Sequence, residues 1–93
     1  MIVSIMTVKL YAPWVQSLKE KRMIVKSLCG KLINKFNVSV IESDAQDVHK
    51  TIIISIAFLS NNTGIGDSTS EAIQAFIQET TDAEILDIMV EQR

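Results

Sequence analysis

Three basic residues in the first half of the chain have the spacing of a phosphate-binding surface. Lys19, Arg22 and Lys26 follow one another at intervals of three and four residues, so on a helix they project from one side. Ammonium and guanidinium groups replace the counterions of a nucleic-acid backbone. These residues, together with Lys9, are therefore the best candidates in the sequence for nucleic-acid binding. The alternative is that the long side chains cover core residues and pair with Glu20.

A second polar group combines residue types that bind metals or exchange protons. Glu42, Asp44, Asp47 and His49 stand in or beside a short polar stretch between two apolar runs, and carboxylates and imidazole are suitable metal ligands. Side chains in such stretches are more often simply solvated, and no second histidine accompanies His49. We therefore predict no metal site here, while a role for the segment 44–49 stays open.

Other catalytic and cofactor-binding patterns are missing from the sequence. Cys29 is the only cysteine and falls on the apolar side of a predicted helix, which favours an inert buried thiol. Gly64 and Gly66 stand without the third glycine of a dinucleotide-binding loop. There is also no Cys-x-x-Cys for copper and no glycine-rich arginine loop for an acyl phosphate. We expect a protein that is not an enzyme and that binds no cofactor.

Apolar spacing predicts the first two elements that position these residues. Alternation over residues 2–10 predicts a strand, which Pro13 ends because proline lacks an amide donor. Ser17 and Glu20 form a capping box, and apolar residues at 3.6-residue spacing predict a helix over 18–36. The expected buried stripe of this helix is Leu18, Val25, Cys29, Leu32 and Phe36.

Alternating β-branched residues predict the remaining strands. The runs 38–43 and 51–59 are joined by a short link, which makes them an antiparallel hairpin, and residues 83–90 alternate again. With a second helix before the last run, the order is βαββαβ. Two βαβ halves with right-handed crossovers predict a single α+β domain over 1–93, a ferredoxin-like sandwich with two helices on one face of a four-stranded antiparallel sheet.

The start of the second helix is left open by the sequence. Ser68 and Glu71 form another capping box, whereas Asn62 or Thr63 would cap an earlier turn. In either case the expected buried stripe is Ala72, Ile73, Phe76 and Ile77.

The sheet face without helices is predicted to be too apolar to stay uncovered. Contiguous exposed apolar patches usually mark an interface, so we expect a homo-oligomer, formed through this face or through an edge strand; the alternative is a monomer with scattered apolar residues. Trp14, in the loop before the first helix, either packs over the end of the core or contacts a base or a partner. The residues expected on the open face are Val3, Ile5, Ile41, Ile53, Ala57, Ile85 and Met89.

Composition limits the class of protein. With 47% apolar and 22% charged residues, the 93-residue chain resembles an ordinary globular protein. It has no apolar run of membrane-spanning length and no secretory leader, so we expect a cytoplasmic protein without membrane contact. Residues 1–50 hold eight Lys/Arg against four Asp/Glu, and residues 51–93 hold one against seven. This asymmetry either steers a polyanion to one side or reflects two solvated faces.

Two blocks of sequence resemble the YlxP-like family of uncharacterised bacterial proteins. The first reads Ser-Leu-Lys-Glu-Lys-Arg at residues 17–22 and Val-Lys-Ser-Leu at 25–28, and the second spans 35–42 and 44–47. The second helix departs from the family pattern. The resemblance implies a ferredoxin-like fold without an established activity. Genes of such proteins often lie beside those for translation-initiation and ribosome-maturation factors, which implies a role around the ribosome.

Two functions follow as hypotheses. The first is an accessory protein that contacts RNA or a ribosomal assembly through its basic first helix. The alternative is a regulatory protein–protein interaction module that associates through its apolar sheet face, with Trp14 as a further contact. No residue pattern indicates a small-molecule ligand.

Overall fold

The computed structural model describes all residues, 1–93. Its strands form one antiparallel sheet in the order β2-β3-β1-β4, with both helices packed on the same face. The ferredoxin-like α+β prediction is thus confirmed. Neither helix combines the length and the apolar character that crossing a bilayer requires. The elements are β1 (Ile2–Tyr11), α1 (Leu18–Lys35), β2 (Ser39–Asp44), β3 (Thr51–Ser60), α2 (Thr63–Thr80) and β4 (Glu84–Gln92).

Side-chain caps begin both helices. The Ser17 hydroxyl accepts a hydrogen bond from the Glu20 amide at 3.1 Å, although the return bond of a full capping box is not formed. At α2 the Asn62 side chain accepts from the Ile65 amide at 2.9 Å, which satisfies an otherwise free amide of the first turn. The second helix therefore starts at the earlier of the two candidate positions, and Ser68 lies within it.

The core lies between the helices and the even-numbered residues of the central strands. Residues 6, 8 and 10 of β1 and 52, 54 and 56 of β3 are fully buried, because alternate side chains of a strand point to the same face. On the helix side of the core, α1 contributes Val25, Leu28 and Leu32, and α2 contributes Ile73 and Ile77. The rings of Phe36 and Phe76 join the helices edge to face, with centroids 5.6 Å apart.

Both helices are rotated relative to their predicted stripes. In α1 the buried face contains Lys21 and Leu28, while Cys29 is only partly buried. In α2 the predicted Ala72 is exposed, and Gly66 and Ser70 are buried instead. Lys21 is buried because it has polar partners on the sheet side, and Gly66 because α2 packs closely on the sheet there. The spacing of apolar residues does not predict either contact.

A bulge in β4 places one residue on a different face of the sheet from the one predicted. Lys9 pairs with Asp87, but its neighbour Leu10 pairs with Ile85, so the register shifts by one residue and Leu86 is extra. The shift turns Ile85 to the side of the buried Leu10, where it packs against the core. The prediction that Ile85 lies on the open face is therefore wrong.

Close packing of α2 on the sheet depends on Gly66. A Cβ at this position would lie 2.8 Å from Gln92 Nε2, 3.0 Å from Ser60 Oγ and 3.3 Å from Ser4 Oγ. Ser4 is fully buried and Ser60 nearly so. The small residues thus let the first turns of α2 approach β1 and β3 more closely than a side chain would allow.

Replacing the two interior helix glycines by alanine should have opposite effects on stability. Around Gly30 in α1 no atom lies within 4 Å of the new Cβ, so Gly30→Ala should raise the free energy of unfolding by about 0.5–1 kcal/mol through helix propensity. Gly66→Ala gains the same propensity but overpacks the helix–sheet contact, and it should be about 1–3 kcal/mol less stable than Gly30→Ala. Urea unfolding of both variants measures the difference. Equal stability would contradict the close approach at Gly66.

Candidate nucleic-acid interface

A buried lysine fixes the orientation of α1 on the sheet. Only 1% of Lys21 is exposed, and its ammonium group lies 2.9 Å from Oε2 of Glu42 on β2. The same group donates hydrogen bonds to the backbone carbonyls of Ala45 and, at 2.7 Å, Val48. Two of its donors therefore have carbonyl acceptors in the turn after β2, and the Glu42 carboxylate balances the charge as an ion pair, which together compensate for the burial of the charge.

A second lysine ties the same turn to the chain between β1 and α1. The Lys50 ammonium group donates to the carbonyls of Pro13 at 2.6 Å and Val15 at 2.8 Å. Its backbone carbonyl accepts from the Ala12 amide at 2.8 Å. Residues 45–50 are thus connected to both ends of the loop that leads into α1, and the start of the helix is held in place.

The three predicted phosphate-binding residues lie together on the outer surface of α1. Lys19, Arg22 and Lys26 are all exposed, and no carboxylate lies within 4.0 Å of their charged groups. The alternative of an ion pair with Glu20 is therefore not realised. Lys31 and Lys35, farther along the helix, are equally exposed and unpaired. The helix presents five free cations to solvent.

Lys9 lies apart from this group. It is exposed on the face of the sheet opposite to the helices, where it stands between Ile53 on β3 and Asp87 on β4. The structure thus brings together Lys19, Arg22 and Lys26 and places Lys9 on another surface.

Two acidic residues at the end of β2 stabilise the fold. Glu42 is paired with Lys21, and the Asp44 carboxylate accepts a hydrogen bond from the Ala45 amide at 2.7 Å. That bond supports Ala45 in a left-handed conformation with φ of 55°, which is unfavourable for a residue with a Cβ. Asp47 and His49 are exposed. No three His, Cys, Asp or Glu side chains are grouped as metal ligands.

Cys29 is chemically quiet in this environment. Partial burial raises the pKa of its thiol, and the nearby Glu42 carboxylate adds to the rise. Both effects disfavour the thiolate, which is the nucleophilic form. A raised thiol pKa is what an unreactive, partly buried cysteine has.

The open face of the sheet carries most of the predicted apolar patch. Val3, Ile5, Ile53 and Ala57 are partly exposed in the two central strands. Ile41 on β2 is 63% exposed and Met89 on β4 is 58% exposed. Leu59, 64% exposed beside Val3, belongs to the same face and was not among the predicted residues.

Trp14 does not belong to the open face. It is 43% exposed and lies in the connection between β1 and α1, where it lines a groove beside the helix. The predicted interface residues therefore fall on two surfaces, the open face of the sheet and the helix side.

Lys21 and Lys50 were not singled out by the sequence analysis. The available signal was the helical position of Lys21, four residues before Val25 and seven before the buried Leu28. A lysine at such a position either snorkels or finds acceptors. No local pattern indicates which carbonyls it reaches.

Comparison with known proteins identifies relatives along almost the whole chain. The profile of a family described as a protein of unknown function, DUF503, matches residues 3–90. A Bacillus subtilis (strain 168) protein described as uncharacterised protein YlxP is 34% identical over 68 residues, which cover 73% of this chain and 74% of that protein.

Removing the Lys21 ammonium group should lower the stability of the folded protein. Lys21→Met leaves the largely buried Glu42 carboxylate without its partner, so the free energy of unfolding should fall by about 3 kcal/mol. Lys19→Met, the same substitution on the exposed side of the helix, should change it by less than about 0.5 kcal/mol. The double variant Lys21→Met/Glu42→Leu should recover part of the loss. Urea denaturation of the four proteins measures these effects, and equal stability of the two single variants would contradict the anchoring role.

Proposed function

This chain belongs to the DUF503 family of proteins of unknown function, and we propose that it is a cytoplasmic, non-enzymatic accessory protein that binds RNA through α1. The contact surface is the basic stripe, defined as Lys19, Arg22 and Lys26. Its ligand is the phosphate backbone of an RNA, alone or within a ribosomal assembly. This proposal agrees with the ribosomal role that the family resemblance implies.

The main support for the proposal is that the exposed basic side chains of α1 have no carboxylate partners. The helix contains six basic residues and one acidic residue, and only the buried Lys21 has a carboxylate partner. The cations on the outside are therefore free to exchange water and small ions for phosphates. The positive end of the helix dipole lies near Lys19 and strengthens the local potential.

The charge of the second helix restricts where RNA can lie. α2 contains Asp67, Glu71 and Glu79 and no basic residue, so a polyanion is attracted to one half of the helix layer and repelled by the other. The open face of the sheet offers no aromatic side chain on the middle of its central strands, whereas base-reading sheets stack bases there. Both observations support the helix side as the surface for RNA binding.

Charge reversal on the basic stripe should abolish RNA binding. We expect wild-type protein to co-sediment with ribosomal subunits at about 50 mM salt and to lose roughly 20-fold in affinity at about 200 mM, as three phosphate contacts predict. The variant Lys19→Glu/Arg22→Glu/Lys26→Glu should not co-sediment. Lys9→Glu/Arg93→Glu, with reversed charges away from the stripe, should bind nearly as well as wild type. Unchanged binding of the triple variant would refute the proposal.

Self-association through the open face is a second candidate function. Its support is the exposure of Ile41, Leu59 and Met89 on one surface, since large exposed apolar patches mark interaction sites. The occupant that we propose is a second copy of the chain, which would bury the same residues twice across a two-fold axis.

A charged residue on the open face should separate such a dimer. By analytical ultracentrifugation, wild-type protein should sediment at twice the 10.4 kDa mass of one chain, and Ile53→Asp and Ile41→Asp should sediment as monomers. Ile33→Asp, at a 52% exposed position on α1, should remain dimeric. A wild-type protein that is monomeric at all concentrations, or a dimer that survives both open-face substitutions, would contradict this candidate.

A further inference from the structure

An open groove runs beside the basic stripe, between α1 and the connection from α2 to β4. Its volume is about 360 Å³, which is at the lower end of the range of about 300–1,000 Å³ for small-ligand sites. We call it the Trp14 groove, because it contains the only tryptophan of the chain. Its other important lining residues are Met23, Ile24, Ser27, Lys31 and Asp82.

The walls of the groove combine an apolar surface with charges of both signs. Trp14 is 43% exposed and Met23 is 65% exposed, so both large side chains leave apolar surface open to solvent in the groove. Lys31 supplies a cation and Asp82 a carboxylate, and neither has an ion-pair partner. A planar, partly polar ligand with a nearby negative charge matches this combination.

The groove is continuous with the cations of α1. Lys19, Met23, Ser27 and Lys31 follow at intervals of four residues, so they form one ridge along the helix. Three members of this ridge line the groove, and Lys19 continues it into the basic stripe. The two lysines of the ridge are about 18 Å apart along the helix axis. A strand of nucleic acid lying on the ridge meets a cation at either end and passes the groove that Trp14 lines.

We infer that the Trp14 groove binds a base of single-stranded RNA, stacked on Trp14, while Lys19 and Lys31 contact phosphates farther along the strand on either side of that base. This inference rests on the proposed RNA-binding function and adds the class of RNA. A base in a duplex is already stacked, whereas an unpaired base offers its faces to an aromatic side chain. The Asp82 carboxylate is an acceptor for the amino groups of such a base.

The second groove of the helix layer provides an internal comparison. It lies at the opposite end, where Phe36, Ile65 and Ala72 are among its lining residues, and none of the residues that line it is charged. No lysine or arginine is available there to pair with a phosphate. The combination of aromatic surface and cations is therefore specific to the Trp14 groove.

The fluorescence of the sole tryptophan tests the inference directly. Titration with a single-stranded RNA of about 12 nucleotides, a typical site size, should quench Trp14, and the same RNA as a duplex should not. With end-labelled RNA, anisotropy should show roughly 5- to 160-fold weaker binding of Trp14→Ala and a small loss for Trp14→Phe. Ile65→Ala, a truncation in the second groove, should bind like wild type.

The salt dependence separates stacking from phosphate contact. Trp14→Ala should keep the wild-type slope of log affinity against log salt, whereas Lys31→Ala should reduce the slope by about 0.7. Salt-dependent binding without quenching, and without an effect of Trp14→Ala, would overturn the inference and leave the proposed function intact. Failure of any RNA to bind would overturn both. A third outcome is that RNA does not quench Trp14 in the wild-type protein, but Trp14→Ala no longer co-sediments with ribosomal subunits. The groove would then bind a ribosomal protein, which would also overturn the inference.

Discussion

The arrangement of the helix layer depends on the burial of one ammonium group. Moving a lysine charge out of water costs several kcal/mol unless acceptors replace the lost hydration. Lys21 finds Glu42 on β2 and two carbonyls of the following turn, so its burial is compatible only with one rotation of α1 about its axis. That rotation turns Lys19, Arg22 and Lys26 outward. The buried Lys21 thus determines on which surface of the protein the basic stripe lies.

The same contact explains the shape of the β2–β3 connection. Ala45 has a left-handed conformation that alanine does not favour by itself, and its carbonyl accepts from Lys21. The Asp44 side chain supports the turn from the other side, and Lys50 ties its end to the loop before α1. Glu42 and Asp44 resemble part of a ligand set in the sequence, but in the structure Glu42 pairs with a lysine and Asp44 supports a strained turn.

The spacing of apolar and capping residues correctly predicted the features that depend on residues close together in the sequence. The order of the elements, the capping of α1 by Ser17 and the inward faces of β1 and β3 follow from local spacing and were confirmed. Local spacing does not show a register shift between strands, so Ile85 was placed on the wrong face. Lys21 was not singled out from the sequence, because its acceptors lie 21 or more positions away along the chain. The basic stripe was found because it depends on α1 alone, whereas the Trp14 groove needs two segments that only the fold brings together.

The two proposed surfaces are compatible because the sheet separates them. Two copies joined through their open faces would leave both α1 helices on the outside of the dimer, pointing away from each other. Each helix would keep its basic stripe and its Trp14 groove free for RNA. A second contact within one assembly is intramolecular, and its effective concentration depends on whether the RNA can span the two sites. A long or folded RNA can meet this condition and a short oligonucleotide cannot, so self-association would favour large RNAs without any change in the contacts that each helix makes.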